Sequence, residues 1–321
     1  MHRNAGKFSI IAVAVLAAAM AINLGAAKLA LKMPTKRSIG MCSMIDQRIA
    51  LAQAAPSPKM LIVGGSGTTQ GIKAKTISEM LGIRAQNFGL HGSFGPGFDL
   101  FLAKKALRPG DSVLLTFEYS AYLLDKPTDV SLDVMYGCGH DYLKQYSMVE
   151  QIRIMVGFPL SALLDRITFA LAPAKPTSLP EYSAWGDQPK GHFPETGEAH
   201  ARRVALYRPM QVVILADGAA AQEIADFAKW ARQNQIELIS TWPNTLAFKE
   251  YLTMPGFAEI RRFYEHLGIP VIGAPQLAML PVEYMSDTQY HLNDEGIRIR
   301  TARLAKALAA RPELLAPLRG E

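Results

Sequence analysis

The sequence predicts an α/β fold with a parallel sheet, and three observations predict it. Short aliphatic runs alternate with longer segments of helical periodicity, which is the rhythm of strand–helix–strand units. Turn residues such as Arg108-Pro109-Gly110-Asp111 punctuate the alternation. Hydrophobic residues make up 49% of the 321 and charged residues 19%, so a sizeable core is available and global disorder is excluded.

The first segment is apolar. Phe8 to Ala27 carries no charge, and Asn23 is its one strongly polar side chain. As a helix it spans about 30 Å, one hydrocarbon core, so residues 1–30 are expected to be a transmembrane signal anchor. Arg3 and Lys7 favour a cytoplasmic N-terminus, whereas Lys28, Lys32, Lys36 and Arg37 weaken that signal. Small residues near Ala26 and Ala27 keep a cleaved signal peptide open, and a buried soluble helix is the third reading. Anchor and signal peptide alike put the rest of the chain outside the cytoplasm. The first gives an inner-membrane protein with a periplasmic domain, the second a secreted one.

Residues 31–58 read as a linker, and an α/β domain is expected over 59–315. Lys59–Gly64 is a buried strand and Thr69–Leu81 a helix. Arg84–Phe88 is a short strand, Pro96–Leu107 a helix, and Ser112–Phe117 another buried strand. This order implies parallel pairing through right-handed crossovers. From Ala121 to about Tyr207 the pattern lapses among repeated prolines, and the stretch reads as an insertion or lid. Inside it Ile154–Leu171 is apolar but holds Asp165 and Arg166, so an amphipathic helix is expected rather than a second membrane span. Alternation resumes with a helix over Gly218–Gln233, a strand at Ile236–Thr241 and a helix near Leu246–Leu267. A strand at Pro270–Ile272 and a helix from about Asn293 to Ala310 complete it.

Several function classes fall away. The formal charge is +6 without dense Lys or Arg runs or aromatic–basic interleaving, so nucleic acid is not an expected partner. The basic excess suits an anionic membrane or an acidic glycan. Cys42 and Cys138 pair in an oxidising compartment or stand as two unconnected thiols, and both readings stay open. No C-x-x-C occurs and the histidines lack ligand spacing, so no metal is expected. A dinucleotide fingerprint fails at Gln70 and at Gln86 and Asn87, and no other cofactor is expected. A G-x-S-x-G elbow fails because Thr68 replaces the last glycine.

What remains is a nucleophile, a base and an acid. Ser66 follows the first buried strand, at the carboxyl edge of the sheet where α/β folds bind ligands. Gly64, Gly65 and Gly67 leave room for a tight turn, and the amides of the following helix are expected to face an oxyanion. His291 lies four residues after Asp287, which can fix its tautomer and leave Nε2 basic; Asp294 is a competing orienter. Asn293 or Asp294 caps the helix that follows. Asn87-Phe88-Gly89-Leu90-His91-Gly92 ends the second strand, and a glycine amide there can serve the same oxyanion as the Ser66 amide. The plain structural readings are a Gly/Ser turn, ordinary turn glycines, and an Asp–His pair that only braces a helix.

These stretches resemble the SGNH (GDSL-type) hydrolase superfamily. The resemblance implies a three-layer α/β/α flavodoxin-like fold acting on acyl esters. Gly64-Gly65-Ser66 occupies the G-D-S block, with Gly65 where the family has Asp. Asn87-Phe88-Gly89 matches N-x-G and gives Gly89 an oxyanion role. Asp287, His291 and Gly296 fit the last block, with D-x-x-x-H in place of D-x-x-H. The third block, G-x-N-D, is missing, because the strand ends Thr116-Phe117-Glu118-Tyr119-Ser120. Tyr119 or Ser120 is the substitute donor expected, whereas an ionised Glu118 opposes an oxyanion. The resemblance covers about 59–120 and 236–311.

The chain is also similar to membrane-anchored SGNH-like proteins of bacterial surface polysaccharides, some of which transfer or remove acetyl groups. The expected protein is an extracytoplasmic esterase or O-acyltransferase working through Ser66, His291 and Asp287. Its implied partners are an acyl ester of a polysaccharide and a membrane-bound acyl donor or export component. The alternative is a catalytically inactive anchored binding or assembly component of polysaccharide export.

Overall fold

A computed structural model describes residues 2–157, 160–172, 181–188, 202–203 and 206–320. The chain opens with α1 (His2–Leu31), α2 (Lys36–Ala54), β1 (Met60–Gly64), α3 (Ser66–Thr69), α4 (Ala74–Leu81), β2 (Ala85–Gly89), α5 (Pro96–Lys104) and β3 (Ser112–Leu115). Then come α6 (Asp129–Cys138), α7 (His140–Leu143), α8 (Met148–Val156), α9 (Leu160–Leu171) and α10 (Ala219–Gln233). The last part holds β4 (Glu237–Thr241), β5 (Thr245–Leu246), α11 (Gly256–His266), β6 (Val271–Ile272), β7 (Met279–Leu280), α12 (Asp294–Ala309) and α13 (Ala316–Arg319). Two compact units result, one from Met1–Ser43 with Asp129–Ser178, the other from Met44–Thr128 with Leu179–Glu321.

The second unit is the α/β domain. Its sheet runs β2-β1-β3-β4-β6 with every pairing parallel, the flavodoxin-like order. β1 is buried along its whole length, which is why it reads as an unbroken aliphatic run. Met60, Ile62, Ala85 and Leu114 turn to one face and pack with Ile77 and Leu81 of α4 and Leu304 and Leu308 of α12. On the other side α5 packs against β1 and α10 against β4. A small parallel pair, β5 with β7, was not evident in the sequence.

A buried ion pair pins the amino edge of this sheet. Lys59 Nζ meets Asp111 Oδ2 at 2.7 Å, both side chains fully enclosed. Asp111 also accepts from the amides of Lys59 at 3.0 Å and Arg108 at 2.9 Å, so the turn before β3 is locked to the entry of β1.

Several expectations change. The helix read over Thr69–Leu81 is split into α3 and α4. Asn87, wholly buried in β2, donates Nδ2 to the carbonyls of Thr68 at 3.2 Å and Ile72 at 2.9 Å and so stabilises the break. The stretch near Leu246–Leu267 becomes β5, a 3-10 turn and the shorter helix α11, with Pro255 as its N-cap. The residues read as a linker contain α2. Its buried stripe of Ile45, Arg48, Ala52 and Ala55 is helical in spacing, but the charge within it hides the pattern. Arg48 donates Nη1 to the carbonyls of Asn87, at 2.9 Å, and Gly186, and lies 3.9 Å from the Tyr182 ring centroid.

The stretch expected as one insertion divides between the units. Residues 181–188 return to the α/β domain, where Asp187 accepts from the amides of Ala74 at 2.7 Å and Lys75 at 2.9 Å and caps α4.

The first unit is helical. The carbonyls at the end of a helix lack intrahelical donors, and Arg166 of α9 supplies them to Leu31 at 2.9 Å and Met33 at 2.6 Å beyond α1. The same guanidinium pairs with Asp133. Cys42 and Cys138 form a disulfide between α2 and α6. The stretch read as one apolar segment over Ile154–Leu171 is divided between α8 and α9, and Ile152 and Val156 of α8 and Leu164 and Leu171 of α9 are exposed. Among the described side chains no single helix is long and apolar enough to cross a membrane, while α8 and α9 pass that test only as a pair bent by 79°. The side chains of residues 1–10, 16, 17, 20 and 23, on which the anchor expectation rests, lie outside the described set.

Asp111→Ala is expected to lower the unfolding free energy by about 3–5 kcal/mol, because it strands a buried ammonium. Urea unfolding measures this, and a loss below about 1 kcal/mol contradicts the pinning role.

Candidate active site

The carboxyl ends of β1, β2 and β3 frame the candidate site. β1 stops at Gly64 and Ser66 opens α3. Gly64 pairs with Gly89 of β2, and Thr116 continues β3 by donating its amide to Val63 O at 2.9 Å. Thr68 and Thr116 join their hydroxyls at 2.6 Å and fasten the turn of α3 to β3.

His291 arrives from the loop before α12. Met285 and Leu292 form an antiparallel bridge that closes this loop. Thr288 Oγ1 accepts from the amides of Tyr290 at 3.2 Å and His291 at 3.1 Å, which curls the chain between Asp287 and His291. That curl absorbs the residue by which D-x-x-x-H exceeds D-x-x-H. Leu292 N donates to Gln70 O at 3.2 Å and docks the loop beside α3. Asn293 is the N-cap of α12, accepting from Gly296 N at 3.0 Å.

The outcome is a continuous relay. His291 Nε2 lies 2.8 Å from Ser66 Oγ, and His291 Nδ1 lies 2.8 Å from Asp287 Oδ1. With Asp287 accepting from Nδ1–H, Nε2 is left to accept from the Ser66 hydroxyl. The His291 side chain is 12% exposed and that of Asp287 25%, so both are partly open to solvent. Tyr207 Oη donates to Asp287 O at 2.6 Å and steadies the orienting residue. Asp287 therefore holds the position for which Asp294, in the first turn of α12, was the rival.

The oxyanion assignments need correction. Gly89 is the last residue of β2, and its amide already donates to Asn87 Oδ1 at 2.9 Å. Tyr119 is fully buried, its ring against Tyr251, Phe257 and Tyr290. Gly92 approaches the turn just before the nucleophile. Its Cα lies 2.6 Å from the place a Cβ on Gly65 would fill.

Glu118 occupies the same spot. It is 2% exposed, and Oε1 accepts from Gly67 N at 2.8 Å while Oε2 accepts from Gly65 N at 3.1 Å. The carboxyl thus straddles Ser66. A Cβ at position 65 would collide with it, so glycine is required there. Burial pushes the Glu118 carboxyl above the usual range, although the amides of Gly67 and Gly65 and the charge of His291 pull the other way. Asp99, in the first turn of α5 and 1% exposed, is pushed well up by burial and then by Glu118 and Glu223. Among the described residues no group of three or more His, Cys, Asp or Glu is placed to hold a metal ion.

No protein-family model matches the chain, and no curated protein matches it significantly. Among solved structures it is similar to protein YxiM from Bacillus subtilis, with a TM-score of 0.38 and 10% identity over 80% of this chain. The chain spans 58% of the length of that protein.

A carboxyl raised by folding stays protonated in the native state while its unfolded counterpart ionises above about pH 3.9. Unfolding then releases a proton, and stability falls as pH climbs from there to the folded value. Asp99→Asn removes this penalty. Its stability relative to the parent is therefore expected to increase as the pH climbs above about 4, measured by urea unfolding. A pH-independent difference contradicts the buried-acid assignment.

Proposed function

We propose that this chain is an SGNH-like serine acyl esterase or O-acyltransferase. The observation that carries the reading is the Ser66–His291–Asp287 relay, with both contacts at 2.8 Å on the carboxyl edge of a parallel sheet. Ser66 Oγ attacks the ester carbonyl while His291 Nε2 takes its proton. The tetrahedral intermediate collapses when His291 returns that proton to the leaving alcohol, and the acyl group stays on Ser66. Water or a sugar hydroxyl then attacks, again with His291 as base, and Ser66 is regenerated. The amide of Ser66 is an oxyanion donor in this scheme.

An acetyl ester of a bacterial surface polysaccharide is the proposed substrate, by the sequence resemblance. The proposed location is outside the cytoplasm, with α1 as an inner-membrane anchor. Two features support it: the charge-free run from Phe8 to Ala27 and the Cys42–Cys138 disulfide, a bond that persists in oxidising compartments. A membrane-bound acyl donor or export component is the corresponding partner.

One observation favours a second reading, an inactive anchored component of polymer export. Glu118 puts a carboxyl beside the nucleophile, and a negative charge there opposes an oxyanion. Labelling by a fluorophosphonate separates the two. The parent protein is expected to label at Ser66, Ser66→Ala not at all, and Asp287→Asn on the order of 10⁴-fold more slowly. An unlabelled parent protein, together with full complementation by Ser66→Ala, establishes the second reading instead.

A further inference from the structure

We infer that α8 and α9 form a lipid-binding surface, lying in the plane of an anionic bilayer interface with their apolar stripes against the acyl chains. The inference rests on the proposed anchoring of α1 in the membrane and adds a second contact with lipid at the extracytoplasmic side. Its basis is a pattern of exposure. Most of the exposed large hydrophobic side chains among the described residues belong to α1, α8 and α9, and the others, Met80, Leu206, Leu215, Leu252 and Val282, are scattered along the chain. Exposed apolar residues standing singly are ordinary surface, whereas contiguous ones mark an interaction site.

The exposed residues are in register with the helices that carry them. Met148, Val149, Ile152 and Val156 of α8 are all exposed, and at about 100° of turn per residue they fall within one arc of about 100°. Leu164, Ile167 and Leu171 of α9 are exposed as well, within an arc of about 60°. Arg166 lies about 130° from the centre of that arc. It is buried and donates to the carbonyls of Leu31 and Met33 at the end of α1. One face of α9 is therefore fastened to the C-terminal end of α1, and the apolar stripe turns away from that joint. Both α8 and α9 pack on α1.

Three observations select a lipid interface as the occupant of these stripes. The C-terminal end of α1 is where a span entered from the cytoplasm leaves the hydrocarbon, so a helix joined to that end stands at the level of the headgroups. Lys28, Lys32, Lys36 and Arg37 are exposed at the same end, and their charge complements anionic headgroups. Neither helix can cross the bilayer alone, since α8 has 9 residues and α9 has 12 where about 20 are needed. Glu150, Arg153 and Asp165 are exposed on the same two helices, away from the stripes. An apolar stripe flanked by charge is the composition of a helix lying in the interface, its apolar face about 5–10 Å into the boundary between headgroups and acyl chains. The bend of 79° between α8 and α9 suits two in-plane segments and not one straight span.

The test uses the full chain in vesicles of equimolar phosphatidylcholine and phosphatidylglycerol, with bromines placed either high on the acyl chains or near their ends. Single tryptophans replace exposed residues: Val156→Trp and Leu164→Trp on the stripes, Gln151→Trp off the stripe of α8, and Val15→Trp within the charge-free run of α1. The parent's own Trp185, Trp230 and Trp242 set the baseline. V156W and L164W are expected to lose about half of their added emission to the shallow bromines and less to the deep ones, as an insertion depth of about 5–10 Å requires. Q151W should stay at the baseline, and V15W should be quenched best by the deep bromines. V156W and L164W at the level of Q151W, with V15W quenched, overturn this inference alone. Stronger quenching of V156W and L164W by the deep bromines puts the stripes in the bilayer interior and also overturns it. Shielding of both from bromine and from aqueous iodide shows a protein partner or a second copy on the stripes, and overturns it as well. An unquenched V15W overturns the anchor reading, and this inference with it.

Discussion

The hydrogen bond from Ser66 to His291 joins residues 225 positions apart, and the rest of the candidate site follows from what holds its two ends together. One end is fixed by the sheet. β1 lies between β2 and β3 and delivers Ser66 to the carboxyl edge. The other end is fixed by a small loop whose amides find partners within it or on α3.

Gly65 is the constraint that couples these parts. A side chain at that position would meet both the Glu118 carboxyl and the Gly92 backbone. Its absence lets three strand ends converge on one hydroxyl. The same closeness sets the Glu118 carboxyl against the amides of Gly65 and Gly67. A buried polar group of this kind is costly for folding.

Much of this was legible in the sequence because strands buried on both faces are near-continuous runs of Ile, Leu and Val. The order of strands and helices, and the meeting of Ser66, His291 and Asp287, could be read on that basis. What could not be read depends on distant partners. The break between α3 and α4 is imposed by the Asn87 side chain, and α2 is obscured by a buried Arg48 whose acceptors are carbonyls at 87 and 186. β2 continues through Gly89 to match Gly64, and the Gly89 amide is taken by the side chain of Asn87, a partner the sequence does not announce. The sequence alone also left the pairing of Cys42 with Cys138 open, since only the fold decides whether two thiols meet.

Whether Ser66 and His291 act together on an acyl-like group is read from a crystal structure after reaction with a small alkyl phosphonate. A phosphorus–Oγ bond at Ser66, with His291 Nε2 on the leaving-group side, is the expected result. An unmodified Ser66, or a phosphonate turned away from His291, contradicts the relay as a working site.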